Sequence, residues 1–68
     1  MMKLEKMMFE VIQKANATEV RTTSGVFTIR YSTEHRRYQV FKPNRDTVFQ
    51  ESYAGFQGAL NIVDRLSR

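Results

Sequence analysis

Five basic residues crowd the middle of the chain: Arg30, Arg36, Arg37, Lys42 and Arg45, set against Glu34 alone between positions 26 and 45. That excess equals the formal net charge of the whole 68-residue chain, +4. Arg21, Gln39 and Phe41 belong to the same group once the strands below are laid out. Guanidinium and amide side chains on a sheet can do two things with nucleic acid: pair with phosphates, and make bidentate hydrogen bonds to base edges from strands lying in a groove. Phe41 or Tyr31 would add a stacking surface for an unpaired base. The alternative readings are a face docked on an acidic protein surface and an ordinary solvated sheet face.

Other chemistries find little support. His35 is the lone histidine and there is no cysteine, so no zinc-type ligand set can be assembled. Gly25, Gly55 and Gly58 fit neither a P-loop nor a dinucleotide pattern. The seven carboxylates are scattered without a spacing that marks a general acid and base. The chain is therefore expected to be no enzyme and to need no metal or cofactor. Its apolar stretches fall far short of the roughly 20 residues that span a bilayer. Lys3, Glu5, Lys6 and Glu10 stand where a signal peptide would be apolar. A soluble, unprocessed, cytoplasmic protein without a membrane partner is expected, forming one small domain over 1–68.

The elements that must hold these residues read as α+β. Leu4, Met7, Met8, Val11, Ile12 and Ala15 recur at intervals of three and four, which predicts an amphipathic N-terminal helix ending near Asn16. Phe9 lies off that stripe and either widens the buried face or, with Met1 or Met2, joins a homodimer contact. From Thr18 the period becomes two, predicting strands at 18–23, 26–32, 36–42 and 47–53. Turns are expected at Ser24-Gly25, around Thr33 and Glu34, and at Pro43–Asp46. Phe56, Ala59, Leu60, Val63 and Leu66 predict a C-terminal helix; Gly55 and Gly58 make it start late or let it approach the sheet closely. The layout is a helix, an antiparallel meander of three to four strands and a second helix, with both helices on one face.

The turns fix a register that can be tested. Val20 is expected opposite Ile29, Ile29 opposite Tyr38, Thr22 opposite Phe27, Phe27 opposite Val40, and Val40 opposite Phe49. One face then collects Val20, Thr22, Phe27, Ile29, Tyr38, Val40 and Phe49. The other, open face carries Arg21, Arg30, Arg37, Gln39 and Phe41, with Arg30 directly opposite Arg37 and Glu19 beside them. Arg36, Lys42 and Arg45 flank it.

The meander and helix over 25–66 resemble in layout the plant AP2-type and phage-integrase arm-binding domains, families that read DNA with such a sheet. No residue is carried over, since no diagnostic motif of theirs is present. Helix, strands and helix in that order are also shared with the double-stranded RNA-binding domain. Its lysine-rich clamp has no counterpart in Ser52-Tyr53-Ala54-Gly55-Phe56-Gln57. The expected function is a small non-catalytic accessory protein that binds nucleic acid through a basic open sheet face. The alternative is a protein-binding inhibitor or adaptor of the phage or mobile-element type, acting through the same face or an edge strand.

Overall fold

The computed structural model describes residues 10–67. Five strands, β1 (Glu10–Gln13), β2 (Thr18–Thr22), β3 (Gly25–Ser32), β4 (Arg37–Phe41) and β5 (Val48–Ser52), precede one helix, α1 (Gly55–Leu66). The strands form a purely antiparallel meander in chain order, so the fold class is α+β. The helix among the described residues is not long and apolar enough to cross a membrane.

The predicted N-terminal helix is corrected where it can be seen. Val11 and Ile12 lie in β1, opposite Val20 and Glu19. Both are β-branched, a type that packs well on a pleated surface and loses side-chain freedom in a helix. Ala15 and Asn16 bend the chain back within a tight turn, in which the Lys14 N–H donates to the Ala17 carbonyl at 2.8 Å. Leu4, Met7, Met8 and Phe9, together with Met1 and Met2, lie outside the described residues.

The first two expected hairpins, β2–β3 and β3–β4, pair differently from expectation yet keep their faces. Thr23 and Ser24 form the first turn, and Thr22 faces Gly25. Gly25 takes φ +124°, in the region L side chains avoid, and a Cβ there would press on the Pro43 ring at 2.9 Å. Val20 consequently faces Phe27. In the second hairpin residues 33–36 form a four-residue turn, so Val40 faces Ile29 and Tyr31 faces Tyr38. Each shift moves a partner by two positions, and side chains alternate with period two, so the inner and outer sets survive.

The third hairpin breaks that rule. Phe41 faces Val48 but Val40 faces Gln50, which leaves Phe49 as the extra residue of a β-bulge. A one-residue offset turns the rest of β5 over. Gln50 and Ser52 join the helix-covered face, and Glu51 joins the open one. Phe49, expected in the core, is 44% exposed.

Ser52 is accordingly buried beneath the start of α1. Its hydroxyl donates to the Gly55 carbonyl at 2.8 Å and accepts from the Ala54 N–H at 3.2 Å, so no polar atom is stranded there. Gly58 passes directly over Ser52, where a Cβ would collide with the Ser52 Oγ. This is the close helix–sheet approach for which the glycine suits the sequence. Val20, Phe27, Ile29 and Val40 from the sheet then meet Ala59, Ile62 and Val63 from the helix in one buried cluster, flanked by Tyr38, Phe56, Leu60 and Leu66.

Candidate nucleic-acid interface

The face turned away from α1 is built by alternation. β1 and β2 present Glu10, Ile12, Glu19 and Arg21; β3 presents Val26, Thr28, Arg30 and Ser32; β4 and β5 present Arg37, Gln39, Phe41, Val48 and Glu51. Arg21, Arg30 and Arg37 therefore share it with Glu10, Glu19 and Glu51, which makes the face charge-balanced. Arg30 does not oppose Arg37: the longer second turn sets Arg30 opposite Gln39 and Arg37 opposite Ser32. Nor does Glu19 pair with Arg30; its carboxylate stands 3.9 Å from the Lys14 Nζ.

The eight residues expected to form one site fall into three groups. At the end of the sheet near the second turn, Glu51 gathers the neighbouring donors. Gln39 Nε2 donates to Oε2 at 2.9 Å, His35 Nδ1 stands 2.8 Å from the same oxygen, and Arg37 reaches Oε1 at 3.4 Å. These hydrogen bonds, from Gln39 first and then His35, favour the ionised carboxylate and lower the Glu51 pKa to about 2. In return the hydrogen bond to Glu51, followed by its negative charge, raises the His35 pKa above 6.5. Arg37 also lies over the Tyr53 ring, 4.2 Å from its centroid. Arg37 and Gln39 are thus engaged within the molecule. Arg36, exposed at φ 56° in the adjoining turn, completes this group.

The second group surrounds the bulge. Arg30 lies over Phe41 at 5.9 Å and Lys42 over Phe49 at 4.3 Å, so each cation is held on an aromatic ring. After Pro43 and the left-handed Asn44, the Arg45 N–H donates to the Lys42 carbonyl at 3.3 Å, and the loop turns back toward the sheet. Arg45 borders two hollows. One, of about 380 Å³, is lined by Ala17, Thr28, Arg30, Phe41, Arg45 and Asp46. The other, of about 200 Å³, is lined by Lys42, Arg45, Thr47, Val48 and Phe49. Arg45 therefore links Arg30 to Lys42 in a continuous rim. Among the described residues no carboxylate forms a salt bridge with any of the three.

Arg21 forms the third group alone, on β2 between Glu10 and Val26. Neither expected stacking residue offers an exposed ring on the open face. Phe41 is 9% exposed beneath Arg30 and the loop, and Tyr31 lies on the helix side, edge-on to Tyr38 with centroids 4.9 Å apart. Tyr31 is 51% exposed but on that side; the exposed aromatics of β5 and its end are Phe49, at 44%, and Tyr53, at 79%. Strand alternation alone could not find Phe49 or Glu51, because both depend on the bulge, and Tyr53, at the end of the expected 47–53 strand, carries no sequence signal of a role. Among the described residues no group of three or more His, Cys, Asp or Glu is placed to hold a metal ion. No family model, curated protein or solved structure matches the chain.

Proposed function

We propose that the protein is a small, non-catalytic nucleic-acid-binding accessory protein whose anion-binding end is the rim of Arg30, Lys42 and Arg45. The observation that supports this reading is the bulge-end arrangement: three cations around one loop, two resting on aromatic rings, none tied to a carboxylate among the described residues. Ion pairing to phosphate needs available cations, and these three stand together around one loop. Arg21, Arg36, Arg37 and Gln39 extend the surface at lower weight, the last two being shared with Glu51. The proposal places the protein in the cytoplasm, a setting compatible with a cysteine-free chain.

The test is fluorescence anisotropy of the full chain with a labelled oligonucleotide over a range of salt concentrations. Three phosphate contacts to a single strand give a slope of log affinity against log salt of about −2. Arg30→Ala, Lys42→Ala and Arg45→Ala together should abolish the binding. Affinity that ignores salt, or survives the triple substitution, contradicts the proposal.

A protein-binding inhibitor or adaptor is the second reading, and a different observation favours it. The open face is charge-balanced and exposes Val26 and Val48, at 40% and 38%. β1 is an edge strand of the described sheet. A stoichiometric protein complex that persists after nuclease treatment and is lost in Val26→Asp would favour this reading. Self-association through Phe9 and the N-terminal methionines is a separate proposal that light scattering decides.

A further inference from the structure

A double helix and a single strand ask different things of this surface. To read a duplex, a β-ribbon lies in a groove whose walls are phosphates and offers free donors to base edges. Here the central donors, Gln39 and Arg37, are engaged by Glu51. Glu10, Glu19 and Glu51 would face the phosphate walls. The flat part of the sheet is therefore poorly suited to a groove.

The bulge end meets the needs of a flexible strand. Recognition of unpaired nucleic acid combines cations that follow the backbone with an aromatic ring on which a base stacks. Phe49 is brought to the surface by the bulge, 44% exposed, on the lip of the hollow it shares with Lys42 and Arg45. Lys42 rests on the ring itself, 4.3 Å from the centroid, a weak hold at an exposed site that a phosphate can replace. Moving Lys42 onto a phosphate bares the ring at the moment the strand arrives. Arg45 and Arg30 continue the rim toward Phe41 and give the next phosphates their partners.

We infer that this site takes unpaired, single-stranded nucleic acid, with a base stacked on Phe49 and the flanking phosphates against Lys42, Arg45 and Arg30. The inference rests on the nucleic-acid reading above and narrows it to one strand state. It also gives the β-bulge a role, since a regular β5 would carry residue 49 to the core face.

The experiment compares a labelled oligothymidylate with the same strand annealed to its complement, using the full chain at low salt. The single strand should bind tighter by on the order of ten-fold. Phe49→Ala should erase that preference and Phe49→Tyr should keep it. Phe49→Leu, which retains apolar bulk without a π-face, should behave like Phe49→Ala and shows that a loss is not one of folding. Equal or tighter duplex binding overturns the inference, as does a single-strand preference unchanged in both Phe49→Ala and Phe49→Leu. If in those cases the Arg30, Lys42 and Arg45 substitutions still abolish binding, the nucleic-acid reading itself survives. Absence of binding to either form at low salt removes both.

Discussion

The two ends of the β4–β5 hairpin hold similar residues in opposite states. Near the second turn, His35, Arg37 and Gln39 converge on Glu51, and Arg37 is further held on Tyr53. Near the bulge, Arg30, Lys42 and Arg45 rest against rings and a loop, with no carboxylate bridging them among the described residues. The first arrangement satisfies its charges internally and ties a turn to two strands. The second leaves its charges to be satisfied by something else. A count of basic residues along the chain cannot separate the two.

One residue produces the difference. Phe49 as an extra residue turns Glu51 outward to the waiting donors and Ser52 inward beneath Gly58. Exchanging the two residues whose faces the bulge sets, as Glu51→Ser/Ser52→Glu, should therefore cause the largest change. The exchange sets a carboxylate in the buried position of Ser52 beneath Gly58, at a cost on the order of 3 kcal/mol. For a domain this small the melting temperature should fall by more than about 10 °C. Thermal unfolding by circular dichroism reads this directly; an exchanged variant of native stability would show that the bulge does not set the two faces.

The next effect is on pH dependence, and it belongs to the turn end alone. The folded-state pKa of His35 is raised, so its contribution to stability is complete below about 6.5, the unfolded value, and is lost as pH rises through the higher folded value. The folded-state pKa of Glu51 is lowered to about 2, so its contribution is present above the unfolded value of 4.5 and is lost as pH falls toward 2. The cluster should stabilise the protein most between about pH 4.5 and 6.5. Melting curves across pH should decline on the alkaline side in the parent and not in His35→Gln. An NMR titration of the imidazole should show the raised pKa returning to the ordinary value in Glu51→Gln. A His35 pKa indifferent to that substitution would mean the contact is not maintained in solution.

A smaller effect is expected at Tyr53, 79% exposed and, among the described residues, in contact with the Arg37 guanidinium. A cation–π contact at an exposed site contributes about 0.5–1 kcal/mol. Tyr53→Ala should lower the melting temperature by a few degrees and leave anion binding at the bulge end unchanged. A loss of binding in Tyr53→Ala would make the two ends one site.

Much of the fold was legible because two different errors had no consequence. The first turn closes at Thr23 and Ser24 instead of one residue later, and the second takes four residues, yet both shift pairing by two positions. Val20, Phe27, Ile29, Tyr38 and Val40 thus stay on the helix side, and Arg30, Arg37, Gln39 and Phe41 on the other. The bulge shifts pairing by one, which takes Phe49 out of its expected core position and gives Gln50, Glu51 and Ser52 the faces opposite to those a regular strand would give them. An apolar residue flanked by Val48 and Gln50 carries no local mark of a bulge. Val11 and Ile12 were misread for another reason: adjacent β-branched residues satisfy a helical stripe and a strand equally, and only the tight Lys14–Ala17 turn decides between them. Burial of Phe41 was equally invisible, because it depends on where the Pro43–Thr47 loop returns across the sheet.

The most direct measurement sets the two ends against each other in a single binding assay. Anisotropy titrations of a single-stranded oligonucleotide at low salt would compare Arg30→Ala/Lys42→Ala/Arg45→Ala with Arg37→Ala/Gln39→Ala, both checked for native circular dichroism. Binding should be abolished in the bulge-end variant and should change by no more than about three-fold in the turn-end variant, an effect within ~1 kcal/mol. Equal losses in the two variants, or a larger loss at the turn end, would contradict the division of the basic residues into a free set and an engaged one.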